Sequence, residues 1–149
     1  MSLHRATPRG WIRPDSRWTP GTRLLHVLLA EDDPDLREVL AITLREEGHR
    51  VTEVADGNLL AGVLAATVRG PGPPVDLVVT DVRMPGRTGL AVLAGLQDTP
   101  DCPPFVIMTA FGDEVIRQQA QRLGAIGVLD KPFSPSALRE LVNRHARGD

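Results

Sequence analysis

A chain of 149 residues is the length of one domain and can bury a sizeable core without disulfides. With 42% hydrophobic and 24% charged residues it has the composition of an ordinary globular protein, and its one cysteine, Cys102, excludes an internal disulfide and fits a reducing compartment. The net charge of −2 hides an asymmetry: residues 1–23 carry Arg5, Arg9, Arg13, Arg17 and Arg23 against Asp15 alone, so the rest is acidic and ill suited to nonspecific nucleic-acid binding.

The first 23 residues hold Pro, Gly and Arg without periodicity and read as a solvated, flexible leader, with Trp11 and Trp18 able to pack on the domain. They contain no apolar stretch of a secretory signal, and no apolar run in the chain approaches the roughly 18 residues that span a bilayer. A cytoplasmic location is expected.

From residue 24 the pattern is regular. Leu24 to Leu29 is an apolar run of strand length that stops at Ala30-Glu31-Asp32-Asp33. Asp33-Pro34 then reads as an N-cap and first turn of a helix with apolar Leu36, Val39, Leu40, Ile42 and Leu44, closed by Gly48. Asp35, Glu38, Glu46 and Glu47 read as its solvated face. Arg50 to Val54 predicts a strand, Leu59 to Val68 a helix, and residues 70–74 a Gly-Pro-rich loop. Val75 to Thr80 predicts a buried strand, Gly86 and Gly89 bracket a turn, and Leu90 to Leu96 predicts a helix. Phe105 to Met108, Glu114 to Leu123 and Gly127 to Leu129 follow as strand, helix and strand. Ser134-Pro135 caps a last helix running to about His145, and residues 147–149 are left as a tail.

Five strands alternating with five helices predict an α/β fold with a parallel sheet covered on both faces. Right-handed crossovers reduce the choices to a flavodoxin-like (βα)5 doubly wound sheet of strand order 2-1-3-4-5. In that order the polar residues breaking the apolar strands meet at one edge. Glu31 and Asp32 end the first strand, Asp81 the third, Thr109 the fourth and Lys131 the fifth.

Two unit charges about 4 Å apart repel by about 4 kcal/mol at an effective dielectric of 20, so these acids need more cation than one lysine supplies. The set holds no His or Cys, which argues against zinc, and carboxylates with room for water and phosphate suit Mg²⁺ better than Ca²⁺. Lys131 is the sole lysine among 17 basic residues, a point charge that can reach a single phosphoryl oxygen. Asp33 is assigned to capping. His26 and His49 are structural or exposed, and Cys102 merely precedes a strand.

Together these residues resemble the receiver domains of two-component response regulators. The resemblance covers residues 24–146 and rests on LLAEDDPDLR (28–37), DLVVTDVRMPGRTGL (76–90), FVIMTAFGD (105–113) and GAIGVLDKPF (124–133). It implies that Asp81 is the phosphoacceptor, that Asp32, Asp81 and the Arg83 backbone carbonyl bind Mg²⁺ with Glu31 assisting through a water, and that Thr109 and Lys131 hold the phosphoryl oxygens. It also implies a cis Lys131-Pro132 bond. Arg83 and Phe111 occupy the positions that tune how long the phosphate lasts. The donor would be a sensor histidine kinase or phosphotransfer protein. The fourth helix, fifth strand and fifth helix would meet an unidentified downstream target or a second copy. Such a domain is a signalling module rather than an enzyme, catalysing only its own phosphorylation and dephosphorylation.

Val128 departs from the pattern, standing where many receivers carry an aromatic switch residue. A phosphatase that forms an aspartyl phosphate is a competing reading, weakened by Arg83 where a second acid is expected. A phosphorylation-independent interaction module is the other. With nothing after residue 146 able to form an output domain, the chain reads as a stand-alone regulator or an excised receiver without direct DNA binding.

Overall fold

The computed structural model describes residues 23–70, 73–110 and 112–148. The expected leader, apart from Arg23, thus lies outside the described residues, as does Phe111. The elements follow in strict alternation: β1 (His26–Ala30), α1 (Pro34–Glu46), β2 (Arg50–Val54), α2 (Gly57–Arg69), β3 (Leu77–Asp81), α3 (Gly89–Gly95), β4 (Phe105–Ala110), α4 (Glu114–Arg122), β5 (Gly127–Lys131) and α5 (Pro135–Ala146).

All pairings are parallel, and the sheet runs β2-β1-β3-β4-β5, the order expected from the alternation. The apolar strands bury both faces. Leu28, Ala30, Val78, Phe105 and Ile107 point toward Leu60 and Leu64 of α2, Leu90, Val92 and Leu93 of α3 and Ala120 of α4. Their strand neighbours Val27, Leu29, Leu77, Val79, Val106 and Met108 point the other way, toward Leu40 and Leu44 of α1 and Leu138 and Val142 of α5. Continuous apolar runs at β1, β3 and β4 are therefore what a sheet covered on two sides requires.

Local chemistry sets the helix starts. Asp33 Oδ1 accepts from the backbone N–H groups of Asp35 and Leu36, with Pro34 in the first turn. Asp56, Thr88, Asp113 and Ser134 cap the other four helices in the same way. Gly48 ends α1 with φ of 95°, a left-handed conformation that a side chain would resist. Among the described residues no helix is long and apolar enough to cross a membrane.

Two expectations about α1 change, and the two histidines near it prove to be structural. Val39 and Ile42 are 45% and 48% exposed, so the buried stripe is Leu40, Ala41, Thr43 and Leu44. Glu47, expected on the solvated face, is buried, because the turn at Gly48 carries it under α5, where its Oε1 accepts from Asn143 Nδ2. His49 is buried in the same cluster: the Leu25 N–H donates to its Nδ1, so its Nε2–H faces Asn143 Oδ1. His26 is buried too, its ring lying 2.8 Å from both the Pro74 carbonyl and Thr52 Oγ1. It thereby anchors the end of the Gly-Pro loop.

Two glycines separate steric need from mere tolerance. A Cβ on Gly57 would lie 1.7 Å from the Arg87 carbonyl oxygen, whereas one on Gly62, mid-helix, would meet nothing within 4 Å. Gly57→Ala is expected to lower the unfolding free energy by about 1–3 kcal/mol. Gly62→Ala should raise it by about 0.5–1 kcal/mol in the same urea titration.

Candidate functional site

The carboxyl ends of β1, β3, β4 and β5 converge on an open pocket of about 480 Å³ lined by Leu36, Asp81, Arg83, Thr109, Ala110, Lys131, Pro132 and Phe133. A crevice at the carboxyl edge, beside the point where strand order reverses, is where open α/β sheets place ligand sites. Asp81 ends β3 and is 6% exposed, Thr109 on β4 is 2% exposed, and Glu31, just beyond β1, is 1% exposed. Asp32 is exposed at the rim.

Lys131 organises the charges. Its Nζ donates to Asp81 Oδ2 at 2.5 Å and to Glu31 Oε1 at 2.8 Å, joining residues 50 and 100 positions away. The Lys131-Pro132 bond is cis, as the resemblance implied. Glu31 Oε2 accepts from the Asp33 N–H at 3.1 Å, so both its oxygens already have partners, and Arg37 Nη1 donates to its carbonyl. Asp81 Oδ1 accepts from the Arg83 N–H at 3.1 Å. The Arg83 guanidinium is 81% exposed and faces Asp113 Oδ2 at 3.8 Å. Gly89 lets α3 start against this strand end, since a Cβ there would lie 2.6 Å from the Asp81 carbonyl oxygen.

Burial raises the Glu31 carboxyl above its ordinary value, and the Asp81 charge adds to the rise despite the hydrogen bonds from Lys131 and Asp33. For Lys131 burial works downward, but the hydrogen bonds to Asp81 and Glu31 outweigh it and hold the ammonium above the ordinary lysine value. The cluster is thus one cation short.

Glu31, Asp32 and Asp81 each offer an oxygen, all within 4.8 Å of one another. An oxygen-only donor set with an excess of negative charge fits a hard divalent cation such as Mg²⁺. Glu31, Asp32, Asp81, Thr109 and Lys131, reached from sequence, all come to this edge, and the backbone of Arg83 lies beside them. Leu36, Phe133 and Asp113 were missed as site residues. The first two look like core residues and the third like a helix cap, so no sequence signal marks them.

Residues 27–143 match the response regulator receiver domain family. The chain is 39% identical over 122 residues to the response regulator protein FleR of Pseudomonas aeruginosa, covering 82% of this chain and 24% of that one. It is 32% identical over 122 residues to the transcriptional regulatory protein FixJ of Bradyrhizobium diazoefficiens, covering 82% and 57% respectively. The chain therefore spans well under two thirds of either relative. With such relatives, the expectation of no direct DNA binding has no support. Among solved structures it is similar to a chemotaxis response regulator of Vibrio cholerae, with a TM-score of 0.68, 27% identity, and coverage of 81% of this chain and 98% of that one.

The charge imbalance predicts a pH-dependent response to cation. Because the folded value of Glu31 lies above the ordinary 4.5, its contribution to stability is present below that pH and is lost as pH rises through the folded value. A divalent ion bound there would offset the loss. The gain in melting temperature from Mg²⁺ should therefore be small at acid pH and widen as pH rises toward neutrality. At Mg²⁺ about tenfold above its dissociation constant, the gain near pH 7 should correspond to about 1.4 kcal/mol.

Proposed function

The chain belongs to the response regulator receiver domain family, and from that premise we propose that it accepts a phosphoryl group on the Asp81 carboxylate and so switches a surface read by a downstream partner. The observation carrying this reading is a buried carboxylate, open to a pocket, that touches the one lysine and lies beside a threonine hydroxyl and two further acids.

The chemistry follows from where the groups stand. An Asp81 oxygen forms a bond to phosphorus as the bond from phosphorus to an imidazole nitrogen of a phosphohistidine breaks, the leaving imidazole taking up a proton. Arg83 N–H on Oδ1 and Lys131 on Oδ2 fix the plane of the carboxylate before reaction. Lys131 then offers its charge to a phosphoryl oxygen, and the Thr109 hydroxyl donates to another. Asp32, Asp81 and the Arg83 carbonyl would hold Mg²⁺, with Glu31, its oxygens already engaged, acting through a water. Bound there, the ion would supply positive charge against the phosphoryl oxygens.

The donor in this reading is a sensor histidine kinase or phosphotransfer protein in the cytoplasm, and water later hydrolyses the acyl phosphate. Residues 24–146 form the receiver, and residues 1–23 a basic segment outside it.

Acetyl phosphate with Mg²⁺ should yield one acid-stable, base-labile phosphoform on a phosphate-affinity gel. Asp81→Asn and chelation by EDTA should each abolish it, and Thr109→Val should slow its formation about ten- to a hundredfold. Labelling of Asp81→Asn at the wild-type rate would overturn the assignment.

A further inference from the structure

Just past the end of β1 the backbone ladder gives way to side chains. The Glu31 N–H still donates to the Val54 carbonyl of β2 at 3.1 Å, but the Glu31 carbonyl accepts from Arg37 Nη1 of α1 at 2.8 Å. The same part-buried guanidinium turns its Nε to Glu53 Oε1 on β2 at 3.4 Å. The other Glu53 oxygen pairs with Arg45 Nη1 at 3.0 Å, and Arg45 Nη2 donates to the Val51 carbonyl of β2 at 2.9 Å. Glu53 is the register partner of Leu29 and so shares the side of the sheet that α1 covers.

This run of contacts ends on the peptide that leads into Asp32. The Glu31 carbonyl and the Asp32 N–H belong to one rigid plane, so a bond to the carbonyl also orients the start of Asp32. Asp32 depends on that support. It is exposed, and among the described residues no hydrogen bond or ion pair holds its carboxylate. Yet one of its oxygens stands within 4.8 Å of oxygens of Glu31 and Asp81. The Glu31 carboxylate has other partners, Lys131 and the Asp33 N–H. Arg37 therefore sits beside an acidic cluster without touching its carboxylates. Glu53 matches its charge, and a planar fork can serve a carbonyl and a carboxylate at once.

We propose that Arg37 is a positioning residue for the divalent cation, with Glu53 as its anchor. The guanidinium holds the Glu31–Asp32 peptide, so that the Asp32 carboxylate is already placed when an ion arrives. Glu53 keeps the guanidinium on that carbonyl and away from the acids, where it would take the cation's place. The inference rests on the divalent site proposed above and adds two residues to it, neither of which offers the ion a ligand.

The test is calorimetric titration of the full chain with Mg²⁺ near pH 7, with no phosphodonor present and folding of each variant checked by urea titration. Arg37→Met, a good helix former without a donor, should raise the Mg²⁺ dissociation constant about ten- to a hundredfold. The direction is decisive, because removing a cation beside acids would by charge alone tighten Mg²⁺ binding. Arg37→Lys, which keeps the charge but has no fork, should recover only part of the loss. Glu53→Gln, at a more exposed site, should weaken binding about two- to fivefold, and should add nothing in the Arg37→Met background. With acetyl phosphate, Arg37→Met should need more Mg²⁺ for half-maximal labelling while its plateau rate falls much less. Mg²⁺ binding by Arg37→Met as tight as wild type, or tighter, would overturn the positioning role and leave the divalent site standing. A Glu53→Gln loss that persists in full in the Arg37→Met background would overturn the anchor. No Mg²⁺ binding by wild type would remove the divalent site and this inference together.

Discussion

One ammonium holds this site together. Lys131 reaches back across the sheet to carboxylates from the ends of β1 and β3, and without it two buried acids would face each other in a region of low dielectric. The pairing leaves an excess of negative charge, since Asp32 joins the same cluster with no cation of its own within it. A site so charged suits a divalent ion, the chemistry that the proposed function draws on. That suitability is a consequence of an imbalance that the fold maintains.

Maintaining it requires a rigid frame. The apolar strands β1, β3 and β4 are buried on both faces, by α2, α3 and α4 on one side and α1 and α5 on the other. Close-packed layers of this kind resist small adjustments, so the polar groups at the strand ends are held where water would otherwise let them separate. Small residues permit the closest approaches, with Gly89 against the Asp81 carbonyl and Gly57 against the Arg87 carbonyl. The loop after β3 is consequently pinned on two sides next to the pocket.

The edge strand β5 differs from the interior strands. All its residues are partly exposed, and it carries alternating duties: Lys131 faces the acids and Asp130 faces α4. Consecutive strand residues point to opposite faces, so the same short segment contacts both the candidate acceptor and α4, a helix of the expected output surface.

The sequence by itself determined the alternation of elements, the strand order and the identity of the acids, hydroxyl and lysine at the sheet edge. These were legible because they rest on local signals: apolar runs of strand length, caps such as Asp33 and Ser134, and polar residues interrupting apolar strands. The tertiary structure alone decided which stripe of a helix is buried and which atoms meet. On α1, Val39 and Ile42 fit a helical apolar spacing yet stay exposed, because Leu40 and Leu44 already fill the space against the sheet. Glu47 looked like a solvated acid until the turn at Gly48 folded it beneath Asn143 of α5. Asp130 gave no signal at all, since the partner that fixes it, Arg117, lies 13 positions earlier on another element. Periodicity reports what a residue's own element prefers, while burial and pairing depend on neighbours that only folding brings near.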